Sequence, residues 1–428
     1  MSSSRDAAPR SGDGGTWPVV VVGAGAAGLT AALFAARGGA RVLLLETRPR
    51  PGAKIRLSGG GRCNVLPSTV GLEDFHTGGS RHALRNVLFS WPLEEAWRFF
   101  EGDLGIPLRV EPTGKVFPRS ERPEDIVQAL RRQCERAGVT FRGGFRVVRV
   151  RRRKPGAAAR FELAGPEGER LACEQLALAT GGLSLPKTGS DGGGLEMARA
   201  LGLRVQPTYP ALVPLLTADR RWTELAGVSV RARLGACRGG RVLEEREGDF
   251  LCTHRGFSGP VVLDMSRHLT APESGGMSLR VRWGGSAAPD WDAHLRRGGK
   301  QTVAALLRTR LPRRLADLLL AIAAVPEGRR ASDLTRDERR PLVENLESYL
   351  LPVGGNEGYA TAEVTGGGVA LSDFVTATLE SRRVPGLYCA GEMLDAVGRI
   401  GGYNFLWAWV TGRKVGLALA ASLSPPTG

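Results

Sequence analysis

The stretch VVVVGAGAAGLTAALFAARGGARVLLLE, residues 19–46, constrains the fold of this chain more than any other. Its valines form a short apolar run of the kind buried in a parallel sheet. Gly23, Gly25 and Gly28 follow at GxGxxG spacing, then a helix over LTAALFAARGG, then a second strand, RVLLLE, ending on Glu46. The glycines have separate roles: Gly23 permits a tight turn, Gly25 lets the backbone approach a pyrophosphate, and Gly28 lets helix and strand pack closely. Ala26 and Ala27 open the helix, whose N-terminus receives the pyrophosphate. Glu46, with Thr47 after it, stands about 20 residues on, where a carboxylate accepts the hydroxyls of a ribose. An acid there favours an unphosphorylated ribose, hence FAD or NAD over NADP.

The rest of the chain continues this α/β reading. PEDIVQALRRQCERAG is an amphipathic helix with Pro123 near its start. VTFRGGFRVVRVRRR and ARFELAG read as antiparallel strands, and EQLALATGG as a further buried strand. From about Val205 the texture changes to alternating strands with turn signals, then to a helical stretch over 291–350, broken near Pro312. VPGLYCAGE returns to a buried strand, and GGYNFLWAWVTGRKVGLALAASL to a final helix. The expected organisation is a flexible tail over 1–16, a cofactor domain over 17–204 and 356–428, and an inserted β-rich and helical domain over 205–355.

Three pieces select FAD. They are the N-terminal unit, the strand LALATGG carrying Thr180, Gly181 and Gly182, and the late strand PGLYCAGE ending in Gly391 and Glu392. An extended FAD gathers contacts from remote segments of a chain. A simple NAD dehydrogenase needs no such last segment.

The blocks GAKIRLSGGGRCN (52–64), ATGGLSLPKTGSDGGG (179–194), THRGFSGPVVLDMS (253–266) and the run from VTGGGVALSDF to GRIGGYN (364–404) resemble the bacterial YhiN/BaiN/RdsA-type flavoproteins, often labelled aminoacetone oxidase-like. The resemblance covers about residues 18–420. It implies a two-dinucleotide-binding-domains type FAD domain, Rossmann-like, interrupted by a β-barrel-like and helical insert. It also implies reduction of the flavin by NADH or NADPH, binding transiently. Activities attached to the family are amine oxidation with O₂, reduction of steroid enones, and reduction of a uridine in 23S ribosomal RNA to dihydrouridine. The family pattern leads to LDVDG before GGYN, where this chain has Leu394-Asp395-Ala396-Val397-Gly398, and to a Gln where it has Leu406. Asp395 and the glycines Gly401 and Gly402 are kept.

The resemblance also places side chains. Lys54, Ser58 and the run Gly59-Gly60-Gly61 offer a cationic, glycine-rich nest for a phosphate or the anionic edge of a flavin. Arg62 would stabilise charge on the reduced ring, with Cys63 and Asn64 close by. Reducing a polarised C=C bond by hydride leaves an enolate-like anion, which needs a proton donor and hydrogen bonds to its oxygen. Cys63 is the first candidate acid and Tyr403, beside Asn404 at the start of the final helix, the second. Plain packing is the preferred reading of Cys63, and the acid role its functional alternative.

The net charge of +16 comes almost wholly from arginine, which supplies 53 of the 59 basic residues. A basic surface attracts phosphate polymers, but codon usage in a GC-rich genome gives the same excess. The expected RNA-facing residues are Arg296, Arg297, Lys300, Arg308, Arg310, Arg313 and Arg314, with Trp283 and Trp291 beside them as stacking or core residues. The run 149–154 reads as a solvated face. Six scattered cysteines without a CxxC pair read as free thiols in a reducing cytoplasm. No metal site, secretory signal or membrane span is expected. The preferred function is an FAD-dependent, NAD(P)H-driven reductase acting on rRNA uridine; the alternative is a small-molecule enone reductase or amine oxidase.

Overall fold

The computed structural model describes residues 16–154 and 156–423. The tail expected over 1–16 lies outside these residues, except for Thr16, which already opens a strand. The Gly-rich unit folds as read: strand β1 (Thr16–Val22), helix α1 (Ala26–Arg37) and strand β2 (Val42–Leu45). β2 is buried throughout, as are the four valines of β1.

These strands belong to a seven-stranded sheet. β1 pairs in parallel with β2 on one side and with Arg170–Leu178 on the other. Leu387–Cys389 adds to Arg170–Leu178 in parallel, bringing the end of the chain into the same layer. Thr140–Arg142 also runs parallel, on β2, which corrects its reading as antiparallel. Arg149–Arg152 and Phe161–Ala164 do pair antiparallel, as an edge hairpin. The last helix, Tyr403–Ala421, packs along α1. Small residues permit this approach: a Cβ on Gly412 would lie 2.4 Å from the Ala27 carbonyl oxygen.

Residues 205–355 build mostly on their own core. The hairpin Ser229–Arg238 and Arg241–Cys252, turned by Gly239-Gly240, lies inside an antiparallel seven-stranded sheet. The sheet runs from Tyr349–Leu350 at one edge to Gly355–Asn356 at the other. The helices Pro260–Thr270 and Arg336–Glu347 pack on it, and Trp291–Arg296, Val303–Arg308 and Arg313–Ile322, the last capped by Pro312, complete the same core. Trp222, Trp283 and Trp291 are fully buried in this core. Trp222 and Trp283 stack at 5.6 Å between centroids. Trp283 and Trp291 are therefore packing residues, not platforms for bases. The strand Val205–Ala211 does not join that sheet. It pairs with Val364–Val369, so the chain leaves and re-enters the cofactor-side layer through one ribbon.

Among the described residues all six cysteines are free and buried. No group of three His, Cys, Asp or Glu there has a metal-binding arrangement. Among the described residues no helix is long and apolar enough to cross a membrane.

Candidate FAD site

A cavity of about 630 Å³ opens along the carboxyl ends of β1, β2 and Arg170–Leu178, a size within the range of small-molecule and cofactor sites. Gly23, Gly25, Ala26 and Ala27 line it beside the start of α1, and Glu46 and Thr47 line it at the end of β2. A Cβ on Gly28 would lie 1.7 Å from the Gly23 carbonyl oxygen, so this glycine serves the packing of helix on turn and does not face the cavity. Gly25 is the opposite case: a Cβ there meets nothing within 4 Å, because the space above it is the cavity. The Glu46 carboxylate is held in place by the Ala24 N–H (2.8 Å) and the Arg48 N–H (2.9 Å). Each oxygen keeps a lone pair for a ribose hydroxyl.

The middle of the cavity is closed by residues from three remote segments. Helix α2 (Ala53–Gly61) is regular only to its first turns, and Gly59, Gly60 and Gly61 then adopt φ of 58°, 68° and 79°. This left-handed run suits glycine alone. Gly59 must lack a side chain, since a Cβ would lie 2.9 Å from the Asn64 nitrogen and the Phe117 ring. Lys54, on α2, points to the late strand's end, where its Nζ lies 2.5 Å from Glu392 Oε2 and 2.7 Å from Ser184 Oγ. Ser184 Oγ in turn donates to Glu392 Oε1 (2.6 Å), which also accepts from the Thr365 N–H (3.1 Å). Thr180 and Gly181 line the same wall, and the Thr180 hydroxyl itself is buried against Gly194.

At the far end, Arg62 lies over the Phe117 ring (4.2 Å to the centroid) and pairs with Glu111 at 2.7 Å. Asn64, Gly401, Gly402 and Asn404 line this end with it. With its amide turned to satisfy both groups, Asn64 donates to the Val116 and Leu66 carbonyls and accepts from the Gly402 N–H. Asn404 fastens the preceding loop, its Oδ1 accepting from the Gly398 N–H at 2.8 Å.

Six expected site residues fall outside the lining: Gly28, Gly61, Cys63, Gly182, Asp395 and Tyr403. Cys63 is fully buried, and burial pushes its thiol up to about 12 against a smaller opposing pull from Ser58. Tyr403 meets Phe75 edge-on, with ring centroids 5.9 Å apart. Neither candidate acid is among the residues that line the cavity. Asp395 is buried and holds the turn at Thr77–Gly79, accepting from Thr77 Oγ1 (3.1 Å) and the Gly78 N–H (3.4 Å). A Cβ on Gly182 would collide with Thr365 Oγ1 at 2.3 Å, which makes it a packing position. Leu406 is buried in the core and off the lining, so the position where a Gln was expected does not face the cofactor side.

Sequence reading missed Lys115, Glu363, Arg399 and the strip Phe145–Val148, all of which line the cavity. Arg399 lies within the GRIGGYN block, whereas Lys115, Glu363 and the 145–148 strip sit in no glycine motif and only the third dimension brings them in. The basic stretch 296–314 lies apart: no residue of 205–355 lines the cavity. Much of its charge is compensated. Arg296 pairs with Asp292 (2.8 Å), Arg308 with Asp317 (2.6 Å) and Glu327 (2.5 Å), and Arg313 with Asp317 (3.7 Å). Arg314 donates to the backbone carbonyls of Glu224 and Ala226. Arg297, Lys300 and Arg310 have no carboxylate partner among the described residues, and the same holds for Arg149, Arg151, Arg152, Arg153 and Lys154.

The bare face of Gly25, the pre-oriented Glu46 and the glycine nest of α2 fit FAD along the length of the cavity. The family model described as "HI0933-like protein Rossmann domain" matches residues 17–418. A 3-dehydro-bile acid delta(4,6)-reductase of Clostridium scindens is 32% identical over 94% of this chain and 98% of its own. A ribosomal RNA dihydrouridine synthase of Escherichia coli is 34% identical over 91% of this chain and 94% of its own. Among solved structures, the open conformation of a flavocytochrome c3 fumarate reductase superposes with a TM-score of 0.51 at 18% identity, covering 96% of this chain and 79% of that one. That likeness speaks to the fold alone. The chain belongs to the HI0933-like family, and it is an FAD-dependent oxidoreductase with a Rossmann-like cofactor domain.

Proposed function

We propose that the enzyme reduces a carbon–carbon double bond conjugated to a carbonyl, and that its substrate is a uridine of ribosomal RNA, probed first in 23S rRNA. The observation that carries this reading is that Arg62, Lys115, Arg399 and Glu363 all line the cavity, with Arg399 held by Asp74 (3.0 Å) and Asp264 (3.3 Å). Bound FAD supplies the chemistry of taking a hydride from NADH or NADPH and passing it to carbon. The chain's own residues orient the acceptor and stabilise its charge. A carbonyl oxygen that gains negative charge is stabilised by fixed positive groups in a water-poor site. Arg62 is held ready for this by Glu111 and by the Phe117 ring.

The names of the two relatives describe the same bond change on different molecules: a 3-dehydro bile acid and a uridine in ribosomal RNA. The identities, 32% and 34%, do not separate them. The net charge of +16 favours the polyanion, and the unpaired arginines of the edge strand and of Arg297, Lys300 and Arg310 supply phosphate contacts. The test is mass mapping of dihydrouridine in ribosomal RNA from a strain lacking the gene. Loss of one dihydrouridine, restored by the wild-type gene, supports the reading. An unchanged map, with steady turnover of a conjugated steroid ketone by the purified protein, moves the substrate to a small enone.

A further inference from the structure

Saturating a C=C bond requires two hydrogens. One arrives as hydride; the other is a proton placed on the neighbouring carbon, which holds the electron pair of the broken π bond. A group that does this must face the cavity, carry a proton at neutral pH and be free of competing partners. Cys63 and Tyr403 fail the first condition. We propose that Glu363 is this acid, resting on the reading of the reaction given above.

Glu363 lines the cavity and is exposed. Its carboxyl group has no hydrogen bond or ion pair among the described residues. Its backbone is fixed instead: the Glu363 N–H donates to the Leu212 carbonyl (3.2 Å), and its own carbonyl lies 3.4 Å from Ser184 Oγ. Ser184 belongs to the Lys54–Glu392 cluster, so the acid stands on the scaffold that holds the cofactor. Protein crowds the carboxyl, and the lost solvation raises its pKa; the charge of Asp264 acts in the same direction, and Lys115 opposes both. A raised pKa shifts the carboxyl towards the protonated form that a general acid uses. In the step, the Glu363 O–H bond breaks and a C–H bond forms on substrate. The carboxylate left behind regains a proton from water through the open cavity.

The test compares Glu363→Gln with the wild-type holoenzyme. The reduced enzymes are mixed without oxygen with unmodified ribosomal RNA and, separately, with a conjugated steroid ketone. Flavin reoxidation in E363Q should slow by about 10²-fold or more, the range for losing a general acid, whereas flavin reduction by NAD(P)H should change far less. An infrared carboxylic-acid band at neutral pH should be present in wild type and absent in E363Q. Reoxidation of E363Q at the wild-type rate by either acceptor overturns the assignment, as does absence of the band. If wild type is reoxidised by the ketone and not by RNA, the choice of substrate fails while the acid is still judged on the ketone. If neither acceptor works, the infrared band alone decides.

Discussion

Lys54 and Glu392 are 338 residues apart in sequence, yet their side chains meet at 2.5 Å in the wall of the cavity. The pair joins the first glycine-rich segment to the last, and Ser184 ties the middle of the chain to both. Charge-assisted hydrogen bonds of this kind contribute about 1.5–3 kcal/mol each. Lys54→Met removes the cation and leaves the half-buried carboxylate of Glu392 short of a partner. The expected outcome is a lower melting temperature and weaker FAD retention, read by thermal unfolding and by flavin absorbance after dialysis. Wild-type retention would show that the pair is only a surface contact.

The glycines of the first turn separate folding from binding. Gly25→Val places its side chain in open cavity, so the variant should fold, with a melting temperature close to that of cofactor-free wild type, and should purify colourless. Gly28→Val drives a side chain into the Gly23 carbonyl, at 1.7 Å already for the Cβ. Overpacking costs about 1–3 kcal/mol and more when backbone must move, so this variant should lose stability or solubility outright. Circular dichroism and flavin absorbance of the two proteins check the contrast.

The seam between insert and cofactor side predicts acid sensitivity. His76, on the cofactor side, faces Arg267, His268, Glu244 and Glu273 of the insert, and burial, followed by the Arg267 charge, lowers it from 6.5 to about 4. Its neutral form is thus favoured in the folded state. Stability is complete above pH 6.5 and falls as pH drops from 6.5 towards 4, by about 3 kcal/mol at most for this group. Glu244 adds to the loss lower down. Burial works against its charge, yet the His268 hydrogen bond and the Arg267 and Arg246 charges hold it at about 2, so its contribution disappears between pH 4.5 and 2. His76→Gln should flatten the upper part of the profile in a melting series from pH 7 to 4. An equal slope in both proteins would remove His76 as the cause.

The arginines of 296–314 divide into two groups. Changing Arg297, Lys300 and Arg310 to Gln should weaken RNA binding and reduce its salt dependence, each true phosphate contact carrying nearly one unit of slope. Arg308→Gln should instead act on the fold, since its guanidinium already bridges Asp317 and Glu327. Filter-binding titrations over a salt series, with melting curves, distinguish the two. Identical salt slopes in the triple variant and the parent would mark the charge as compositional.

Much of the cofactor side was legible because its chemistry is local. Gly23, Gly25, Glu46, Thr180 and Glu392 sit in short motifs whose backbone conformation dictates the residue, and all five line the cavity. Cys63 misled because adjacency in SGGGRCN is not adjacency in space: at φ 59° the chain turns its thiol into the core. Tyr403 misled in the same way, since at a helix start successive side chains point about 100° apart. Glu363 was hidden because it precedes a buried strand and carries no motif. The arginines of 296–314 were read as one basic face because their acid partners, Asp317 and Glu327, were not weighed with them.

The central claim is that this FAD enzyme delivers its electrons to a uridine. A single-turnover experiment tests it most directly. Stoichiometrically reduced, oxygen-free enzyme is mixed with ribosomal RNA from the gene-deleted strain, and flavin oxidation and dihydrouridine are measured in the same sample. The account predicts one dihydrouridine formed for each FAD oxidised, at a single position. Flavin that stays reduced in the presence of the RNA, or is oxidised without dihydrouridine appearing, would contradict it.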